Sequence, residues 1–147
     1  MGQESKGKRV APMVIFDTDI LIDYFLGVQQ AGRFLFSFGK DERFLTSVSA
    51  MEVYRGARNK SELNIFKEFF GGNFGGILHV NEESSKLSLD LVETYTLSHG
   101  LALPDAMIAA LAMLKGASLI TGNLRHFSFI QNLRVSLPDY RGRQQGS

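Results

Sequence analysis

The chain contains no cysteine and only three histidines in 147 residues. The first absence removes disulfides, thiolate nucleophiles and cysteine-bound zinc, and it suits a reducing cytosol. The histidines, His79, His99 and His126, lie far apart, and no HExxH-type pair occurs. A GxSxG nucleophile elbow is missing. So is a P-loop: GGNFGG (71–76) is glycine-rich but lacks the GK[ST] ending, and reads as a flexible loop. No apolar run approaches the roughly 18–20 residues of a membrane helix. The start, MGQESKGKRVAP, has no signal-peptide core. A cytoplasmic protein with no membrane partner is expected. The length leaves no room for a second large domain. Residues 13–138 should form the domain, with 1–12 a flexible tail or expression remnant and 139–147 a second flexible tail.

The net charge of +1 conceals an asymmetry. Lys6, Lys8 and Arg9 outweigh Glu4 in residues 1–12, and Arg141 and Arg143 outweigh Asp139 in residues 138–147, so the body between carries −2. A bulk polycation is excluded. Any nucleic-acid contact must use a local basic rim.

What is present alternates between strand and helix signals. MVIF (13–16) reads as a buried strand, 19–26 and 31–39 as helices, and FLTSV (44–48) as a second strand. SAMEVYRGARN follows as a helix, with Ser49 and Glu52 at capping-box spacing. A helix over 61–70 ends at Gly71-Gly72. ILHV (77–80) is a third strand. Asn81 caps a helix over about 82–98 that stops at Gly100. LPDAMIAALAMLKG has Pro104 in its first turn and Gly116 at its end. SLIT (118–121) and LRVSL (133–137) complete the set. This order predicts an α/β domain with a mostly parallel sheet and helices on both faces. Ligands of such sheets bind beyond the carboxyl ends of the strands.

That rule gathers the acids. Asp17 follows the first strand directly, Glu52 lies a turn beyond the second, and Asn123 sits just past SLIT. Asp105 begins the helix that must cross back to the start of SLIT. All four fall on one rim. Three carboxylates sharing a site repel one another, and a hard divalent cation, Mg²⁺ or Mn²⁺, resolves the conflict. Each residue also has a plain structural role open to it. Asp17 can cap a helix. Glu52 can close a capping box with Ser49. Asp105 is ordinary helix-start chemistry, Asn123 an ordinary turn residue. Asp19 and Asp23 fit a solvated helix face.

FDTDILIDYF, SVSAMEVYRGA, LPDAMIAALAM and LITGNLRHF occur in this order over about residues 14–138. Together they resemble the PIN-domain ribonucleases, and within them the VapC-type toxins of toxin–antitoxin pairs. The resemblance implies a PIN-like three-layer α/β/α sandwich and a metal-dependent endoribonuclease using Mg²⁺, with Mn²⁺ as alternative. By position, Asp17, Glu52 and Asp105 hold the ion directly or through water, and Asn123 takes the fourth place. Thr121 and Thr18 support the site. His126 stands where many members have a further aspartate. Asp19 fills a place often held by asparagine and supports the loop or helix start; Asp23 is expected on the helix surface. Cleavage by an ion-activated water should leave 5′-phosphate and 3′-hydroxyl ends, with Arg55, Arg58, Lys60, Lys115 and Arg125 as candidate phosphate contacts. The resemblance also implies a homodimer restrained by a VapB-like antitoxin whose tail covers the acids. Phe34, Leu35, Phe36 and Phe38 are candidates for the dimer or antitoxin surface, or else a core helix.

Two rivals remain at this point. DTD is similar to the DxD of haloacid-dehalogenase-type phosphatases, but Leu21 stands where Thr or Val is usual and no downstream acidic pair follows. A PIN-like module that binds RNA or a partner without cutting fits the missing acid at His126.

Overall fold

The computed structural model describes residues 12–141; of the tails expected at 1–12 and 139–147, residues 1–11 and 142–147 lie outside those residues. Five strands form one sheet in the order β3-β2-β1-β4-β5. They are β1 Val14–Phe16, β2 Arg43–Thr46, β3 Gly76–Leu78, β4 Ser118–Ile120 and β5 Arg134–Ser136. Every pairing is parallel; β1 is registered Ile15 to Phe44 on one side and Ile15 to Leu119 on the other. Six helices connect them: α1 Thr18–Phe25, α2 Gln29–Leu35, α3 Ser47–Arg55, α4 Lys60–Asn73, α5 Glu82–His99 and α6 Leu103–Lys115.

β1 is central and wholly buried, which is why its sequence is an unbroken apolar run rather than an alternating one. Alternate residues still face opposite layers. Val14 and Phe16 join Leu45 and Ile120 against α1, α2 and α4 through Ile20, Leu21, Leu35, Phe66 and Phe70. Ile15 and Leu119 face the other layer, where Leu91 of α5 and the Ala106–Ala112 stretch of α6 pack. The layers are those the sequence resemblance implied.

Three sequence expectations are corrected. Gly71 and Gly72 do not end α4. The helix runs on to Asn73, whose amide donates to the Phe69 carbonyl at 3.0 Å, while Phe70 and Phe74 are buried beneath. GGNFGG is therefore a helix end joined to a strand start. The phenylalanine run is not one surface: Leu35 is fully buried, Phe34 and Phe38 pack on Phe16, and only Phe36 is exposed. Residues 139–141, expected in the flexible C-terminal tail, form a helical turn. Tyr140 and Arg141 fold back onto α1, where both donate to Asp23 Oδ2 at 2.8 Å.

The candidate acidic site

The chain runs through β1, β2 and β3 to one side of the sheet and returns to β4 and β5 on the other. The order therefore reverses between β1 and β4, the place where open parallel sheets bind ligands. Asp17 and Thr121 leave the sheet side by side there. Asp17 N–H donates to the Ile120 carbonyl (2.9 Å), and the Thr121 hydroxyl donates to Asp17 Oδ2 (2.8 Å). Asp17 is also the N-cap of α1, its Oδ1 accepting from Thr18 N–H at 2.8 Å. The cap role of Asp17 holds, and the same carboxylate stands at the β1/β4 reversal.

Glu52 is released from the capping role the sequence offered it. Thr46, not Ser49, is the N-cap of α3, its hydroxyl accepting from Ser49 N–H at 3.1 Å. Two hydroxyl residues three apart compete for that role, and β2 passes into α3 without a loop, so the earlier one takes it. Ser49 is fully buried and lies 2.8 Å from the Thr18 hydroxyl. That hydroxyl donates to Glu52 Oε1 at 2.5 Å. Thr18 thus ties the start of α1 to α3 and fixes Glu52 beside the β1 exit.

Asp105 sits in the first turn of α6, after Pro104. Its Oδ2 is 3.3 Å from His126 Nδ1, in the short helical turn after β4. His126 therefore faces the site as a partner of an acid. Asn123 is exposed, and its backbone N–H donates to the Thr121 hydroxyl at 3.0 Å.

The electrostatics follow from crowding. Burial pushes the Asp17 carboxyl up to about 7; Asp19 adds to this and Asp105 adds a little more, against the bonds from Thr121 and Thr18. Burial also raises Asp105, opposed by His126 and reinforced by Glu52. Asp19 is raised by burial in spite of Arg141. These acids share one field. Their donor set is all oxygen, the chemistry of a hard cation. Asp19 Oδ1 is buried without a hydrogen-bond partner among the described residues. Among the described residues, no three acidic or histidine side chains stand close enough to chelate one ion directly. The arrangement fits a cation that keeps much of its water, as Mg²⁺ does.

Sequence reasoning missed the clamp on α1. Asp23, expected in solvent, takes Tyr140 and two Arg141 nitrogens (3.1 and 2.8 Å), and Arg141 also stands 3.8 Å from Asp19 Oδ2. No local signal announces partners more than a hundred positions away. Of the basic candidates, Arg58 is paired with Glu62 at 2.8 Å. Arg55, Lys60, Lys115 and Arg125 form no ion pair among the described residues. No helix among them is long and apolar enough to cross a membrane.

The PIN domain family profile matches residues 14–130. Ribonuclease VapC19 of Mycobacterium tuberculosis is 30% identical over 125 residues, covering 83% of this chain and 98% of its own. Ribonuclease VapC10 of the same organism is 28% identical over 135 residues, covering 89% of this chain and 99% of its own. A toxin–antitoxin complex from Klebsiella pneumoniae contains a chain with TM-score 0.71 and 30% identity, over 84% of this chain and 95% of that one.

Proposed function

Since the chain belongs to the PIN-domain family, we propose that it is a metal-dependent endoribonuclease, the toxin half of a VapBC-type toxin–antitoxin pair. The observation that carries this reading is the convergence of Asp17, Glu52 and Asp105 at the β1/β4 reversal, each held by a hydroxyl or histidine rather than by a cationic side chain. Asp17, Glu52 and Asp105 would hold Mg²⁺ or Mn²⁺, directly or through its waters. When bound, such an ion lowers the pKa of water and offsets charge on phosphoryl oxygens.

The chain's own residues do the positioning. Thr121 and Thr18 N–H each fix one oxygen of Asp17, so the carboxylate presents its remaining lone pairs in one orientation. The Thr18 hydroxyl does the same for Glu52, and His126 for Asp105. Asn123 supports the turn. Arg55, Lys60, Lys115 and Arg125, which form no ion pair among the described residues, are the candidate contacts for flanking phosphates. The 2′-hydroxyl has no part in this chemistry, and products should carry 5′-phosphates and 3′-hydroxyls.

The antitoxin reading is supported by a groove of about 580 Å³ between α1, α3 and α4. Ile22, Leu26, Val53, Ile65 and Phe66 line it, and Glu52 stands in its wall. An apolar antitoxin tail seated there would reach the acids. Leu89, Leu97 and Leu103, exposed on α5 and α6, are the face we assign to a second copy.

The test is RNA cleavage by protein freed of antitoxin, with Mg²⁺ or Mn²⁺, beside Asp105→Asn. Cleavage should stop on chelation, fall at least a hundredfold in the variant, and continue when the scissile nucleotide is 2′-deoxy. Hydrolysis of phosphomonoesters through a phospho-aspartate would instead support the phosphatase, and binding without cutting the non-catalytic module. A milder variant tests the turn after β4. A Cβ on Gly122 would overlap Asp19 Oδ2 and lie 2.6 Å from Arg141 Nη1. Both obstacles are side-chain ends that can move. Gly122→Ala should therefore fold, losing only about 1 kcal/mol, yet cleave roughly tenfold more slowly. Equal rates for it and wild type would show that the turn is not part of the site.

A further inference from the structure

The second acid of the opening motif, Asp19, is mostly buried at the edge of the site, its side chain 19% exposed, and contributes nothing to holding Asp17, Glu52 or Asp105 in place. Its two oxygens are treated very differently. Oδ2 receives Gly122 N–H at 2.9 Å and the Asn123 side-chain amide at 3.3 Å, with Arg141 Nη1 3.8 Å away. Oδ1 is buried and accepts no hydrogen bond among the described residues. Leaving a carboxylate oxygen buried and unpaired is costly, and a donor is near: Arg141 commits two nitrogens to Asp23 Oδ2 and approaches Asp19 only on its Oδ2 side. A Cβ at Gly122 would meet Asp19 Oδ2 and the Arg141 guanidinium, so the turn after β4 lies directly against Oδ2.

Neither residue after β4 that could supply a fourth acid does so: Asn123 is neutral and His126 is engaged with Asp105. We infer that Asp19, through Oδ1, is the fourth acidic group of the ion site, and that Asn123 is a positioning residue that orients it. The fourth carboxylate then comes from the first turn of α1, which the Asn123–Asp19 bond joins to the turn after β4. Asp19 also acts electrostatically on both Asp17 and Asp105, which places it within their field. The inference rests on the assignment of Asp17, Glu52 and Asp105 to a divalent ion.

The experiment is Mn²⁺ titration of metal-free protein, with free Mn²⁺ read by electron paramagnetic resonance, for wild type, Asp19→Asn, Asp17→Asn and the exchange Asp19→Asn with Asn123→Asp. Asp19→Asn should weaken Mn²⁺ binding about tenfold with unchanged circular dichroism. The exchange should regain most of the loss, because it places a carboxylate in the turn after β4. If Asp19 serves only as a counter-ion for Arg141, Asp19→Asn will bind Mn²⁺ as tightly as wild type, and the inference fails. An exchange variant as weak as Asp19→Asn also overturns the inference. Asp17→Asn separates the two levels: wild-type affinity there would sink the ion site itself, not only the part given to Asp19. Should Asp19→Asn not fold, wild-type protein decides. On Mg²⁺ addition the Asp19 side-chain carboxyl carbon should shift in the NMR spectrum with the same saturation as that of Asp17, and an unmoved Asp19 signal rejects the assignment.

Discussion

Asp17→Asn is expected to abolish RNA cleavage and, at the same time, to make the metal-free protein more stable above neutral pH. The two effects have one cause. Asp17 is 7% exposed and its carboxyl is pushed up to about 7, from 3.8 for an ordinary aspartate. Between those values the folded protein keeps a proton that the unfolded chain has released. Stability therefore falls as pH rises from about 4 to about 7 and levels off above. The full span corresponds to about 4 kcal/mol. Burial also raises Asp19 and Asp105, and they act in the same direction. The difference between wild type and variant isolates the share of Asp17.

Asparagine keeps the acceptor for Thr18 N–H but turns the Thr121 contact around, at a cost of about 1–2 kcal/mol. The net gain at pH 8 is then about 2–3 kcal/mol, a rise in Tm of roughly 5–10 °C for a chain of this size. Melting curves from pH 5 to 8 check it. Wild type should lose Tm across that range and the variant should lose less. Mg²⁺ should stabilise wild type at pH 8 by mass action and leave the variant unchanged. Parallel curves would mean that Asp17 is not held uncharged by its surroundings. Cleavage should fall by two orders of magnitude or more, since the variant lacks the charge nearest the β1/β4 reversal.

The largest loss of stability should come one residue earlier. Phe16 is fully buried, and its ring meets the rings of Phe34, Phe38 and Phe74 edge to face at centroid distances of 6.1, 5.6 and 6.4 Å. Phe16→Ala opens a cavity on the central strand, where neighbours from α2 and the end of α4 cannot both close in. Such truncations cost about 3–5 kcal/mol, against a total of about 5–15 kcal/mol for a domain. The urea midpoint should fall sharply with an unchanged m-value. Phe36→Ala is the control. That ring is 46% exposed and stacks only against Arg43, whose guanidinium lies 4.9 Å from its centroid, and against Tyr24 and Phe69 at the surface. Its loss should cost about 1 kcal/mol. Equal costs would mean that Phe36 carries as much of the packing as the buried Phe16 does.

The contrast shows which parts of this fold local sequence could announce. β1, α5 and α6 were legible because each is marked by its own residues: an apolar run, an Asn81 cap with Gly100 at the far end, and a Pro104 start with Gly116 as stop. The placing of Asp17, Glu52 and Asp105 at one edge was legible because strand exits in a parallel sheet must share an edge. Choices between equivalent partners were not. Thr46 and Ser49 both qualify as caps, and only the absence of a loop between β2 and α3 decides for Thr46. Gly71-Gly72 looked like a stop because local propensity says so, but Phe70 and Phe74 bury enough surface to carry the helix through. The role of Asp23 was invisible, because its partners Tyr140 and Arg141 come from the other end of the chain.

That distance has a consequence for how the protein is made. Asp17 and its partner Thr121 are separated by 104 positions, and Arg141 reaches Asp23 across 118. The first acid leaves a ribosome before the strand that flanks it and the hydroxyl that orients it. A nascent chain thus carries Asp17 through the synthesis of more than a hundred further residues without the β4 edge. The fold itself keeps the acids unassembled until β4 has been made.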